Sequence, residues 1–166
     1  TLDMYRYVNQ KVSDTMGGYH SARLLVASID LQDILDQNTP SGKGGVLVGA
    51  AKQLEAGGAD FVVICSNGLH EYAPMIEQAV RIPLLHIADS TADVIEQAGK
   101  FRIGLMGVKE TMERDFYKSR LTGRGIEVLV PDGAQRDFIE KVLWEETNFG
   151  IVNPDSVKAF EEIAQS

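Results

Sequence analysis

A parallel α/β fold is the class this sequence predicts, on three observations. Short apolar runs alternate with helical segments along most of the chain. The runs are nearly continuous in apolar residues, as in strands covered on both faces, while the segments between them space their apolar residues at helical intervals. One run, Phe61–Ile64, stops abruptly at Cys65-Ser66-Asn67-Gly68-Leu69-His70. Small polar and reactive groups at the carboxyl end of a strand stand where open α/β sheets bind ligands.

Taken in order, Met4, Tyr5, Val8 and Val12 have helical spacing, and Arg23–Ile29 is an apolar strand. Pro40-Ser41-Gly42-Lys43-Gly44-Gly45 reads as a mobile loop leading into an amphipathic helix that ends at Gly57-Gly58. It lacks the G-x-x-x-x-G-K-[ST] form, and no strand directly precedes it, so it is not a phosphate loop. Phe61–Cys65 is a strand, Glu71–Val80 a helix, and Pro83–Ile87 a strand. Asp89 or Ser90 is placed to cap a helix over Thr91–Ala98. Arg102–Gly107 and Ile126–Val130 read as strands, and Thr111–Leu121, Gln135–Thr147 and Pro154–Ala164 as helices. Such alternation predicts a parallel sheet covered on both sides, with every strand's carboxyl end on one rim. The pattern restarts after Gly99-Lys100, which divides the chain into a first α/β domain over 1–99 and part of a second over 100–166. The chain opens and closes on helices, so it is expected to be a portion of a longer polypeptide.

The 166 residues suffice for one sizeable core or parts of two small ones, with 44% hydrophobic and 24% charged residues. A formal net charge of -8 argues against nucleic acid as a partner, since phosphate backbones need clustered Lys and Arg. No apolar run approaches the roughly 20 residues that span a bilayer, so no membrane association is expected. A single cysteine forms no intrachain disulfide, which makes a reducing cytoplasm the simplest location. No dinucleotide fingerprint follows any strand, so no nicotinamide or flavin cofactor is inferred. His20, His70 and His86 have no metal-ligand spacing, so no metal is expected.

The Cys65–His70 turn admits two readings. Backbone N–H groups at a strand-to-helix turn, with the Asn67 amide, can hold a carboxylate, and Cys65 or Ser66 can exchange protons. Equally, Cys65 can be a core residue and Ser66-Asn67-Gly68 a turn and cap. His86 is weighed toward bonding a neighbouring backbone group and ordering its turn, rather than acting as an acid. Thr111 follows the strand ending at Gly107, placed as a cap or as a hydroxyl facing an anion. Lys109 is expected to face solvent.

Several blocks in order resemble the aspartate/glutamate racemase family: Gly18-Tyr19-His20-Ser21-Ala22-Arg23, Leu54–Phe61, the Cys-Ser-Asn-Gly-Leu-His turn, Ile82–Asp89, Thr111–Tyr117 and Arg124–Pro131. The resemblance runs through almost the whole chain. It implies two similar parallel-sheet α/β domains facing a cleft, a homodimer, and racemisation of an acidic amino acid without pyridoxal phosphate or other cofactor. In the family two residues, usually cysteines, flank the α-carbon, one removing a proton and the other returning one to the opposite face. A thiolate suits this because its pKa is tuned by its surroundings.

Carried over by position, the first catalytic residue is the one before Asn67, which is Ser66. Some relatives carry Thr there after a Cys. Cys65 is the lower-ranked candidate. Asn67 and Thr111 match substrate-binding positions, and Gly68 stands where the family has Thr, so a hydroxyl is lost there. A lysine that some relatives carry late in the second domain falls at about Asn148. The family's opening strand would precede Thr1, and its second catalytic cysteine, in a Gly-Cys-Thr-Glu turn, would follow Ser166. The sequence therefore predicts a racemase of aspartate or glutamate. An isomerase or decarboxylase of another small carboxylate, or a non-catalytic binder of an acidic amino acid, remains open.

Overall fold

The computed structural model describes residues 1–166 and has nine α-helices, four short strands and two 3-10 turns. Its elements alternate as the α/β class requires. The strands form two parallel pairs: β1 (Val62–Val63) with β2 (Leu84–Leu85), and β3 (Arg102–Gly104) with β4 (Glu127–Leu129). Contacts divide the chain into two compact units. The first is 1–66 with 72–85, and the second is 67–71 with 86–166. Gly99-Lys100, where the sequence pattern restarts, lies inside the second unit.

In the first unit, helix α1 (Leu2–Met16) covers the expected Met4–Val12 segment but buries none of its residues. The expected strand Arg23–Ile29 carries no ladder. The one strand pairing in the unit is β1 with β2, and Leu24, Leu25 and Val26 stay 42–58% exposed. Helix α2 (Leu31–Leu35) follows, unforeseen because it has only five residues; Asp30 caps it by accepting from the Gln32 N–H.

Pro40–Gly45 is helix, not loop. Helix α3 (Pro40–Ala56) begins at Pro40, whose fixed φ suits a first helical position, and the Thr39 hydroxyl accepts from the Gly42 N–H at 3.1 Å. Gly44 is buried because α3 comes close to helix α4 (Ala73–Ala79) there: a Cβ on it would collide with the Met75 thioether. Packing thus recovers what glycine loses in helix propensity. Gly58, at φ 88°, turns the chain into β1 as expected.

The expected helix Glu71–Val80 is a 3-10 turn, Gly68–Tyr72, followed by α4. The next helix, α5 (Ile87–Gln97), starts earlier than Asp89 or Ser90 would cap it, and its N-cap is His86. In the second unit Ala88 and Ala92 of α5 pack with Tyr117, Leu121 and Ile126 into a core that Ile103 and Val128 flank. The expected helix Thr111–Leu121 is two: α6 (Lys109–Glu113) and α7 (Asp115–Thr122), broken at Arg114, whose ψ of 162° is extended. Helix α8 (Gly133–Glu145) starts in a capping box between Asp132 and Gln135, and α9 (Pro154–Gln165) starts at the Asn153 cap. No helix is long and apolar enough to cross a membrane.

Candidate active site

The strand-end turn that stands out in the sequence is a strand-end turn in the fold. In the first unit, β1 leads through buried Ile64 to Cys65 and Ser66, both exposed. Cys65 is a surface thiol with its Sγ 3.6 Å from the Met4 Sδ, so it is not a core cysteine.

In the second unit the same turn continues with exposed Asn67, half-buried Gly68 and fully buried His70. The Asn67 carbonyl accepts from the His70 N–H at 3.2 Å, which closes the turn. Strand β3 ends at Gly104 and the chain runs through Met106-Gly107-Val108 into α6, bringing Thr111 beside Gly68. A Cβ on Gly68 would lie 3.2 Å from Val108 Cγ2 and 3.8 Å from Thr111 Oγ1. The space beside the Gly68 Cα is therefore lined by a methyl and a hydroxyl.

Thr111 is not the helix cap, since α6 begins after Val108 and has no side-chain cap bond. The Thr111 N–H is spent on the Val108 carbonyl at 2.9 Å. Its side chain is 2% exposed, and Oγ1 is a buried polar atom with no hydrogen-bond partner. Leaving a buried hydroxyl unpaired costs about 1–3 kcal/mol, so such an atom marks a place where a ligand atom could bond.

Lys109, expected to face solvent, is half-buried and pairs with Asp137, which raises its pKa, while its N–H donates to Glu140 Oε2 at 2.7 Å. Glu71, in the turn, pairs with Arg114 at the α6–α7 break. Sequence reasoning does not find this pair; the only local hint is a charged residue just after one motif block, Glu71, and another inside a second, Arg114.

His86 orders its own turn, as weighed from the sequence: its Nδ1 accepts from the Ala88 N–H at 3.1 Å. It is 3% exposed, and its pKa is lowered to about 4, chiefly by burial, then by His70 and Arg120, with Asp89 opposing. It is neutral at neutral pH. His70 Nε2 accepts from the Ile87 N–H at 3.2 Å, and the two imidazole centroids are 4.4 Å apart. No three His, Cys, Asp or Glu side chains are grouped to hold a metal ion.

Comparisons with known proteins agree with this arrangement of elements. The chain is 38% identical to a Yersinia pestis protein assigned as an Asp/Glu racemase, with a TM-score of 0.88 over 98% of this chain and 72% of that one. It is 28% identical to an aspartate racemase homologue from Pyrococcus horikoshii OT3, with a TM-score of 0.74 over 90% and 67%. The broad specificity amino-acid racemase RacX of Bacillus subtilis (strain 168) is 34% identical over 94 residues, 57% of this chain. That match spans 40% of RacX, less than half of its length. The family model for Asp/Glu/Hydantoin racemases matches residues 1–165. With the model matched end to end and the α/β elements superposing on racemase structures, the chain belongs to the Asp/Glu/Hydantoin racemase family.

Proposed function

We propose that this chain forms the greater part of a racemase that inverts the α-carbon of an acidic amino acid, aspartate or glutamate, without a cofactor. The observation that carries the reading is the buried, unpartnered Thr111 hydroxyl facing Gly68, the residue that follows Asn67 in the turn. Removing an α-proton leaves charge on the substrate carboxylate. Hydrogen-bond donors already aimed at that carboxylate stabilise the charge without having to reorganise. Thr111 Oγ1, the Asn67 side-chain amide and the backbone at Gly68 are the donors in this reading.

Ser66 takes the first proton-transfer position. In this reading the Ser66 hydroxyl proton passes first to a neighbouring base; the alkoxide oxygen then accepts the α-proton on one face, restoring the hydroxyl, while an acid on the other face returns a proton to the carbon, and the reverse reaction exchanges the roles. Inversion requires this second group, which in the family is a cysteine and which we place outside residues 1–166. A serine alcohol is a far weaker base than a thiolate, so kcat and KM should each differ between the two directions of racemisation, while kcat/KM stays equal because the enantiomers have equal free energy. Cys65 is the alternative base. The broad specificity of RacX, together with Gly68 where the family has Thr, supports a second reading: an isomerase or decarboxylase of another small carboxylate. From the family resemblance we further propose a homodimer in the cytoplasm.

The test is α-proton exchange by the full-length protein in deuterated water, followed by NMR with each enantiomer of aspartate and glutamate. Deuterium at the α-carbon is expected. No exchange with any of the four, alongside turnover of another dicarboxylate, would shift the assignment to the second reading. Tight binding without any chemistry would leave a binding protein. Ser66→Ala should lower exchange by about 10²–10⁴-fold, the usual contribution of one acid–base group, and more than Cys65→Ala does. The opposite order would make Cys65 the base. Sedimentation of the full-length protein tests the dimer.

A further inference from the structure

The second unit contains two buried imidazoles that the proposed chemistry does not use. Their nitrogens are occupied in an ordered way. A helix leaves its first N–H groups without partners inside the helix. At the start of α5 two successive amides end on imidazole nitrogens: Ile87 N–H on His70 Nε2 at 3.2 Å, and Ala88 N–H on His86 Nδ1 at 3.1 Å. The acceptor roles set the tautomers, with the proton on Nδ1 in His70 and on Nε2 in His86. A nitrogen that accepts a backbone N–H has no lone pair left to take a substrate proton, so His70 Nε2 and His86 Nδ1 are not the bases. The rings lie 4.4 Å apart at 58°, and His70 is 0% exposed. The charged groups about the pair are Asp89 of α5 and Arg120 of α7, with Glu71 of the turn paired to Arg114.

His70 is also the buried end of the turn that carries Asn67 and Gly68, and its N–H bonds the Asn67 carbonyl. We propose that His70 is a positioning residue of the site: its imidazole, bonded to the Ile87 amide and packed at a tilt against His86, holds the Asn67–Gly68 turn in register with the first turn of α5. A turn fixed by one rigid ring keeps the Asn67 amide and the Gly68 backbone aimed in one direction. A misplacement of about 1 Å at such donors is enough to cost on the order of 10²-fold in rate. This inference rests on the reading that Asn67 contacts substrate.

The test compares two substitutions in the full-length enzyme. His70→Gln places an oxygen where Nε2 accepts, and His70→Leu fills similar volume without an acceptor. His70→Leu should lower kcat/KM for α-proton exchange by up to about 10²-fold, with KM raised and kcat lowered together, and His70→Gln should recover most of that loss. A packing role alone would lower the melting temperature of both variants and leave kcat/KM per folded molecule unchanged; that result overturns the proposal. Backbone and side-chain NMR of Asn67 gives a readout independent of turnover. Asn67 signals should broaden in His70→Leu and stay sharp in His70→Gln. Unbroadened signals in His70→Leu overturn the proposal even if the wild type is active. A wild type inert toward all four acidic amino acids with Asn67 disordered in His70→Leu would reject the racemase reading and retain the positioning of the turn.

Discussion

Thr111 has its side chain buried and its hydroxyl unsatisfied. Stability and function therefore pull apart at this residue. Thr111→Val keeps the shape and removes the unpaired oxygen, so folding stability should stay level or rise by about 1 kcal/mol. Binding and turnover of the substrate should fall by about tenfold or more, the value of a lost hydrogen bond to a charged group. Urea unfolding and steady-state kinetics on the same preparation check the pair of outcomes. A variant that is both less stable and fully active would mean that the hydroxyl bonds within the protein. The sequence leaves Thr111 as cap or anion contact, and the observed α6 start after Val108 removes the first option. Local sequence could not decide this, because whether a hydroxyl caps depends on which residue turns out to be the last extended one. Likewise Gly68 could be read as a missing hydroxyl, but not as the neighbour of Val108 Cγ2, some forty positions along the chain.

At the scale of elements, α5 shows how a buried cap becomes a pH device. His86 keeps its pKa near 4 in the folded protein, against 6.5 when exposed. Between those values the unfolded chain binds a proton that the folded chain refuses. Stability therefore falls as pH drops from about 6.5 toward about 4 and levels out below, a contribution of about 3 kcal/mol. His86→Asn keeps an acceptor for the Ala88 N–H and does not titrate. Unfolding free energies measured at pH 7 and pH 4 should show the variant losing about 3 kcal/mol less than the wild type over that interval. Equal losses would show that His86 protonates without penalty. Asp89 and Ser90 looked like better caps in the sequence by residue type, and the helix began earlier because a buried imidazole supplied the acceptor. The break of the expected Thr111–Leu121 helix at Arg114 has no Pro or Gly to announce it. It coincides with the Arg114–Glu71 pair, a contact made outside the helix.

For the whole molecule, the second unit rests on a compact core in which Leu121 is 0% exposed among Ala88, Ala92, Tyr117 and Ile126. Leu121→Ala should cost about 2–5 kcal/mol, because two facing alanines leave little side-chain volume to collapse into the cavity. Denaturant unfolding followed by circular dichroism measures it, and a loss below about 1 kcal/mol would mean that the core closes over the gap. The family assignment has the same scale: it holds from residue 1 to residue 165, through segments that differ widely in burial.

The sequence by itself determined the alternation of strands and helices, the parallel pairing, the position of the polar turn after β1 and the family. These are carried by local periodicity and by contiguous motifs, both legible along one dimension. Only the tertiary structure decided that Arg23–Ile29 forms no ladder, that Pro40–Gly45 is helical, and that His70 and His86 share the start of α5. It also decided that the Thr111 hydroxyl faces Gly68 unpaired. Each depends on which distant group arrives as a partner: a neighbouring strand, the close approach of α4, an amide seventeen residues away, a methyl from another loop. Hydrogen bonds and packing across such separations leave no periodic trace in the chain.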